Sequence, residues 1–169
     1  MKKDEIDKLN RKIRQCTKCK LYKNTTQSVP GSGNTNAMIM LIGEAPGKEE
    51  DRKGAPFVGR SGRYLNETLE RNGLRREDLY ITAVVKHRPP DNRNPHKEEI
   101  AACIGYLGEE IGIIQPEVIV LMGKTAREHV AERKGIRYLR TSHPAAAMRF
   151  RKRYGPAFQR QFKKLGQTK

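Results

Sequence analysis

The chain has 169 residues, of which 36% are hydrophobic and 32% are charged. This length fits one compact domain, residues 1–169, with a single hydrophobic core. The composition is that of a soluble globular protein, and its apolar runs are much shorter than the roughly 20 residues that a membrane span requires. The charged N-terminal residues lack the pattern of a secretion signal, so we expect a cytoplasmic protein that does not interact with membranes.

The charge of the chain is strongly positive. Its 35 Lys and Arg residues outnumber 19 Asp and Glu residues, which gives a net charge of +16. Between Arg133 and Lys169 there are twelve basic residues and no acidic ones. Such an asymmetric distribution attracts a phosphate backbone, so we predict a nucleic-acid partner. The alternative is a basic surface that serves only solubility.

The first elements along the chain are a helix, a loop and a strand. Residues 4–15 place their apolar side chains on one helical face, which predicts a short helix. Residues 24–36 are rich in Thr, Ser, Asn and Gly and predict a loop. The apolar run Ala37–Ile42, which stops at Gly43, predicts a buried parallel strand.

Helices and strands then alternate to the C-terminus. In chain order, the predicted elements are helix Ser61–Asn72, strand Leu79–Val85, helix Pro95–Leu107, strand Glu117–Met122, helix Lys124–Arg133, strand Arg137–Thr141 and helix Arg151–Leu165. We expect Asn94 to cap the helix at Pro95, and Gly155-Pro156 to interrupt the last helix. This order predicts an α/β fold with three α/β/α layers and a mainly parallel four-stranded sheet. The active site should lie at the carboxyl ends of the strands.

Two loops at that edge carry candidate catalytic residues. The loop after the first strand presents Glu44, and its glycines allow backbone amides to approach a ligand closely. His143 follows the last strand directly. A carboxylate can orient water or stabilise a cation, and an imidazole can stabilise negative charge on a leaving base. A purely structural histidine is the alternative interpretation of His143.

Two further features suit contact with a nucleic acid. Phe57 sits between tight turns, where an aromatic ring can stack on a planar base, although a core phenylalanine is the alternative. The apolar run Ala145–Met148, followed by Arg149, can enter a minor groove as a wedge.

Five motifs give the chain a resemblance to the family 4 uracil-DNA glycosylases. They are Gly43-Glu44-Ala45-Pro46-Gly47, the Glu50-Asp51 pair, Pro56-Phe57-Val58-Gly59, Val85-Lys86-His87-Arg88-Pro89-Pro90 with Asn92-Arg93, and Ser142-His143-Pro144. Together with the cysteines, the resemblance extends from Cys16 to Arg149. It implies the uracil-DNA glycosylase fold and a monomer that acts on DNA containing uracil or another deaminated base.

The resemblance also implies roles for individual residues. The implied catalytic residues are Glu44 and His143, the base-binding residues are Gly43, Ala45, Phe57 and Ala83, and the DNA-binding residues are Ser61, Lys86, Arg88, Met148 and Arg149. The implied reaction flips out the damaged nucleotide and hydrolyses its N-glycosidic bond through a cation-like sugar and an anionic base, which initiates base excision repair. One alternative is a module that binds damaged DNA without catalysis. A phosphate-ester hydrolase is a weaker one, because the sequence lacks a dense metal-binding constellation.

The cysteines depart from the family pattern. Cys16, Cys19 and Cys103 match three ligands of the family's four-cysteine iron-sulfur cluster, and His87 occupies the fourth position. The resemblance therefore implies a structural [4Fe-4S] cluster with three cysteines and one histidine. A related branch of the superfamily, which traps uracil covalently, also has Val-Lys-His at this point. Zinc suits the same four ligands, and a site without metal is the third possibility.

The second departure concerns base recognition. Family members usually carry an asparagine where this chain has Ala83. That amide reads the Watson-Crick edge of the base, so its loss leaves one or two polar groups of the base unpaired. We therefore expect a weakened or broadened preference for uracil, with hypoxanthine and xanthine as further candidate bases.

Overall fold

A five-stranded sheet forms the centre of the computed structural model, which describes residues 1–167. The strands are β1 (Ser32–Gly33), β2 (Ile39–Gly43), β3 (Tyr80–Ala83), β4 (Val118–Met122) and β5 (Arg137–Thr141), in the spatial order β1-β3-β2-β4-β5. The last four pair in parallel, which confirms the predicted α/β fold. The sequence missed β1, an antiparallel edge strand inside the predicted loop, because two residues carry no periodicity.

Seven α-helices surround this sheet in the described residues. They are α1 (Lys2–Arg14), α2 (Lys48–Lys53), α3 (Arg60–Arg71), α4 (Lys97–Ile114), α5 (Lys124–His129), α6 (Pro144–Arg149) and α7 (Arg151–Gly166). Three short 3₁₀ helices in the described residues span Lys20–Asn24, Arg76–Asp78 and Pro90–Asn92. None of the helices in residues 1–167 is long and apolar enough to cross a membrane.

The sheet divides the hydrophobic core, which the sequence predicted as single, into two parts, and alternation along the strands produces both within the predicted three-layer arrangement. Ile39 and Leu41 face a core that α3, α6 and α7 cover, whereas Met40 and Ile42 face a core covered by α1, α4 and α5. Because successive side chains of a strand point to opposite faces, a wholly apolar strand must be covered on both sides. The continuous apolar run of β2 therefore requires helices on each face of the sheet.

Several predicted helix boundaries were wrong. Helix α4 begins after His96 rather than after Asn94, because the Glu99 carboxylate accepts the His96 N–H over 2.7 Å. Helix α5 ends at His129, four residues earlier than predicted. Two helices of six residues, α2 and α6, were read as loops because segments this short display little periodicity.

The last helix continues through Pro156, where the sequence predicted an interruption. A proline inside a helix costs about 3 kcal/mol. Phe158, Phe162 and Leu165 of the same helix are fully buried, and each contributes about 1.5–3 kcal/mol through burial. The tertiary packing of this face offsets the local penalty.

Candidate active site

A cleft of about 560 Å³ opens at the carboxyl ends of the parallel strands, where the sequence places the active site. Residues at or just after the ends of four strands line it, namely Glu44, Ala83, Gly123 and His143. Ala45, Phe57, Ser61 and Met148 also line the cleft. The sheet therefore brings together, in one cavity, seven residues that the sequence singled out from distant segments.

Glu44 is held by a residue that the sequence did not single out. Thr125 Oγ1 donates a hydrogen bond to Glu44 Oε2 over 2.5 Å, from a nearly buried position in α5. The Glu44 carbonyl accepts the Val85 N–H over 3.0 Å, which continues the pairing of β2 and β3. The carboxylate therefore faces the cleft from a fixed backbone, where water or a sugar can approach it.

His143 is arranged to donate a hydrogen bond. Its Nδ1 accepts the Ala145 N–H over 3.1 Å, from which we infer that the neutral ring carries its proton on Nε2. Burial lowers the pKa of His143 to about 4, and the charge of Glu50 opposes this shift only in part. At neutral pH the ring is therefore uncharged, and a neutral N–H donor suits an anion that develops in the cleft.

Gly43 lies beside two rings that line the cleft, those of Phe57 and His143. The Phe57 and His143 rings stack with their centroids 5.5 Å apart and their planes inclined by 30°. A Cβ on Gly43 would lie 2.6 Å from Phe57 Cζ and 3.5 Å from His143 Nε2. A side chain at this position would displace the phenyl ring from its stacked position against His143.

One carboxylate connects the two loops that form a wall of the cleft. Glu50 Oε1 accepts the Gly47 N–H over 3.0 Å, and Glu50 Oε2 accepts the N–H groups of Val58 and Gly59, each over 2.8 Å. Its neighbour Asp51 accepts the Thr26 N–H over 3.0 Å. The sequence identified this acidic pair only as a motif, whereas the structure gives it a role in loop geometry.

The residues with an implied role in DNA contact lie in different environments. Ser61 and Met148 line the cleft, and Arg149 is exposed beyond its edge. Arg88 is half-buried and donates through Nε to Asn92 Oδ1 over 2.7 Å. Asn92 itself lines the cleft.

Lys86 corrects one of these assignments. The residue is fully buried, and its Nζ donates to Glu110 Oε1 over 2.5 Å, to Thr82 Oγ1 over 2.6 Å and to the Ala83 carbonyl over 2.8 Å. A lysine committed to this internal network cannot reach a phosphate in the folded protein. The prediction of a DNA contact was wrong because the sequence does not show that an acidic partner lies beneath the strand.

Three cysteines approach one another between α1 and α4. Cys16 packs against the apolar cluster that contains Cys103. Burial raises the pKa of the Cys103 thiol to about 11, and Cys16 and Cys19 add to this shift. The Lys86 N–H donates to Cys103 Sγ over 3.2 Å and opposes this shift. His87 follows in the chain and is buried, which lowers the pKa of its ring.

The cysteine and histidine side chains are chemically suited to bind a metal, but their arrangement is not that of a metal site. Thiols and a neutral imidazole are the ligands that iron and zinc prefer. Among residues 1–167, however, no group of three or more His, Cys, Asp or Glu side chains is arranged to hold a metal ion. The cysteine side chains therefore lie in one region of the protein, but in residues 1–167 they do not form a metal coordination site.

Comparison with known proteins agrees with these features. Residues 30–166 match the family model of the uracil DNA glycosylase superfamily. A type-4 uracil-DNA glycosylase of Archaeoglobus fulgidus is 40% identical, over 97% of this chain and 93% of that protein. One from Thermotoga maritima is 48% identical, over 76% of this chain and 67% of its own.

The fold is shared more widely. The crystal structure of Pedobacter heparinus SMUG2 superposes with a TM-score of 0.53 at 13% identity, over 79% of this chain and 74% of that one. The motif resemblance is thus confirmed by sequence identity over nearly the whole chain. The protein belongs to the uracil DNA glycosylase superfamily and, within it, to the type-4 uracil-DNA glycosylases.

Proposed function

We propose that this protein is a monofunctional DNA glycosylase that flips uracil out of DNA and hydrolyses its N-glycosidic bond, initiating base excision repair. The observation that carries the proposal is that the Glu44 carboxylate and the neutral His143 ring line the same cleft. The family membership of the chain supports uracil as the base. Flipping is required because the glycosidic bond is inaccessible inside a stacked duplex.

The two catalytic groups act on opposite ends of the bond that breaks. Glu44 stabilises the positive charge that develops on the sugar or orients the attacking water, since Thr125 fixes one of its oxygens. His143 donates from Nε2 to the oxygen of the departing base, which carries the electron pair of the broken bond. Loss of one such preorganised donor costs about 10²–10³ in rate in other enzymes.

The wall of the cleft binds the flipped base. Phe57 supplies the stacking face, Gly43 lies against the phenyl ring, and Ala45 lines the same cleft. The side chain of Ala83 offers the base edge no polar group, so bases other than uracil meet less discrimination. Uracil remains the principal substrate, with hypoxanthine and xanthine as secondary candidates.

Basic side chains surround the cleft and would hold the DNA backbone. Lys48, Arg60 and Lys124 line the cleft, and Arg149 extends the positive surface towards α7. Contacts of this kind set register on the DNA and weaken with salt, whereas the pocket selects the base.

We also propose that Cys16, Cys19, Cys103 and His87 hold a structural [4Fe-4S] cluster. The chemistry of the donors supports it, and the cluster would connect the segment after α1 to α4. No step of base release uses it. Purified protein should contain iron and inorganic sulfide and absorb visible light, and His87→Cys should keep this chromophore. Colourless protein with one zinc per chain would contradict the cluster.

The activity is tested by alkali-revealed cleavage of oligonucleotides that carry a single uracil, hypoxanthine or xanthine, in the presence of chelator. Wild-type protein is compared with Glu44→Ala and with Glu67→Ala, an exposed carboxylate of α3, as control. We expect cleavage by wild type and the control, and a loss of several orders of magnitude for Glu44→Ala with DNA binding retained.

A second candidate is favoured by one observation, the apolar Ala83 at the cleft wall. In that case the protein would bind damaged DNA without releasing a base. Tight binding of uracil-containing DNA by wild type, without cleavage of any of the three substrates, would support this alternative over the glycosylase.

A further inference from the structure

Phe57 adopts a backbone conformation that its side chain disfavours. Its φ is +50°, in the left-handed region where residues with a Cβ are uncommon. A strained conformation of this kind persists only where the surrounding structure enforces it. The contacts that hold Phe57 are therefore part of how the cleft is built.

Arg76 supplies hydrogen bonds to the strained segment. Its Nη1 donates to the Phe57 carbonyl over 2.7 Å, and its Nη2 donates to the Pro56 carbonyl over 2.5 Å. The same Nη1 donates to Asn66 Oδ1 over 2.9 Å, which connects the guanidinium to α3. Arg76 is half-buried and does not line the cleft, so these contacts act from behind the wall.

Two other groups restrict the same segment. Glu50 accepts the N–H groups of Val58 and Gly59, the two residues that follow Phe57. Gly62 of α3 lies against the turn, since a Cβ there would stand 2.0 Å from the Phe57 carbonyl oxygen. The turn is therefore held through its carbonyls, through its amides and by close backbone packing.

We infer that Arg76 is a positioning residue for base recognition, because it holds Phe57 in the left-handed conformation that presents the phenyl ring beside Gly43 and His143. The inference rests on the proposed function, in which Phe57 stacks on the flipped base. Arg76 acts through the backbone at Pro56 and Phe57 and does not line the cleft that would hold base and sugar. The planar fork of a guanidinium serves two adjacent carbonyls, whereas the single ammonium of a lysine does not reproduce this geometry.

This role differs from a general contribution to stability. If Arg76 only stabilises the fold, its removal lowers the melting temperature and affects activity to the same extent whatever residue occupies position 57. If it positions Phe57, its removal matters only while the phenyl ring is present. A double-mutant cycle separates these two cases.

The experiment measures single-turnover base release from uracil-containing DNA, with enzyme in excess, for Arg76→Met alone and in a Phe57→Leu background. Arg75→Met is the matched control, since Arg75 is an exposed neighbour that pairs with Asp78. We expect Arg76→Met to slow release about 10- to 100-fold, the cost of a displacement of about 1 Å. Inhibition by free uracil should weaken as well, and affinity for abasic-site DNA should stay within about twofold.

In the Phe57→Leu background, Arg76→Met should have little further effect. An equal slowing in both backgrounds, or an unchanged rate for Arg76→Met, would overturn the inference. If Arg76→Met does not fold, Arg76→Lys provides the second variant, because it keeps the charge but loses the planar fork that serves both carbonyls, and it should show the same dependence on the phenyl ring. If neither wild type nor Arg75→Met releases any base, the proposed function itself is refuted.

Discussion

Thr125 Oγ1 lies 2.5 Å from Glu44 Oε2, although the two residues are 81 positions apart in the chain. The hydroxyl stands at the start of α5, and the carboxylate follows β2. Because β2 and β4 are neighbours in the sheet, the segments that follow them meet at the same edge. The hydrogen bond restricts the rotation of the carboxylate before any substrate binds.

Removing this hydrogen bond should slow base release without weakening DNA binding. A hydrogen bond to a charged group contributes about 1.5–3 kcal/mol, so Thr125→Val should lower the single-turnover rate about 10- to 100-fold. Thr125→Ser keeps the hydroxyl and should recover most of the rate. Thr141→Val is the control, a buried threonine whose hydroxyl has no partner among the described residues. Equal rates for Val and Ser at position 125 would contradict the role.

The protonation state of His143 predicts an unusual pH dependence of catalysis. Because its pKa is lowered to about 4 from an ordinary value of 6.5, the ring stays neutral well below pH 6. The single-turnover rate should therefore lack a step between pH 6 and pH 7.5, where an exposed histidine titrates. A wild-type rate that falls severalfold as the pH decreases from 7.5 to 6, without such a fall in His143→Asn, would contradict a neutral donor.

The same lowered pKa affects stability in a defined direction. Below pH 6.5 the unfolded chain binds a proton at His143 that the folded ring excludes, so protonation favours unfolding. The free energy of unfolding should fall as the pH decreases from 6.5 towards 4 and should not depend on this residue above 6.5. Urea denaturation at pH 7.5 and 5 measures the change. His143→Asn should reduce it, and an identical change in the variant would exclude the residue as its source.

Restoring an amide at the cleft wall should sharpen base selection. Ala83 is nearly buried and lines the cleft, so an asparagine side chain there projects into the space for the base. Ala83→Asn should raise the ratio of uracil to hypoxanthine release by about tenfold, equivalent to roughly one good hydrogen bond. Ala83→Leu controls for the added volume. A ratio that is the same in wild type and Ala83→Asn would show that this position does not read the base.

The buried pair of Lys86 and Glu110 should matter for stability rather than for DNA contact. Both side chains are almost fully shielded from solvent and are joined over 2.5 Å. Lys86→Met leaves the Glu110 charge uncompensated and should lower the free energy of unfolding by about 3–5 kcal/mol. Adding Glu110→Gln should recover part of the loss. At the exposed pair of Arg75 and Asp78, Arg75→Met should lower stability far less, because solvent screens an exposed ion pair.

The main features of the fold were accessible from local sequence. The apolar runs of β2 and β4 have the length and flanking glycines of buried parallel strands, and the alternation with amphipathic helices fixes the layer order. Short or locally unfavourable elements were not accessible. β1 has two residues, and α7 continues through Pro156 because burial of its far end outweighs the local penalty.

The sequence by itself determined the chemical groups of the site, since Glu44, Phe57 and His143 each follow recognisable strand and turn signals. Only the tertiary structure decided how those groups are held. Thr125 lies in the segment 123–125 after β4, which the strand pattern places near the site, but its contact with Glu44 carries no local signal. Arg76 carries no local signal at all, because its partners are remote in the chain and the bonds exist only once the protein has folded. The burial of Lys86 has the same cause. From the sequence a lysine is expected at the surface, and only the folded chain places Glu110 beside it and shields both side chains from water.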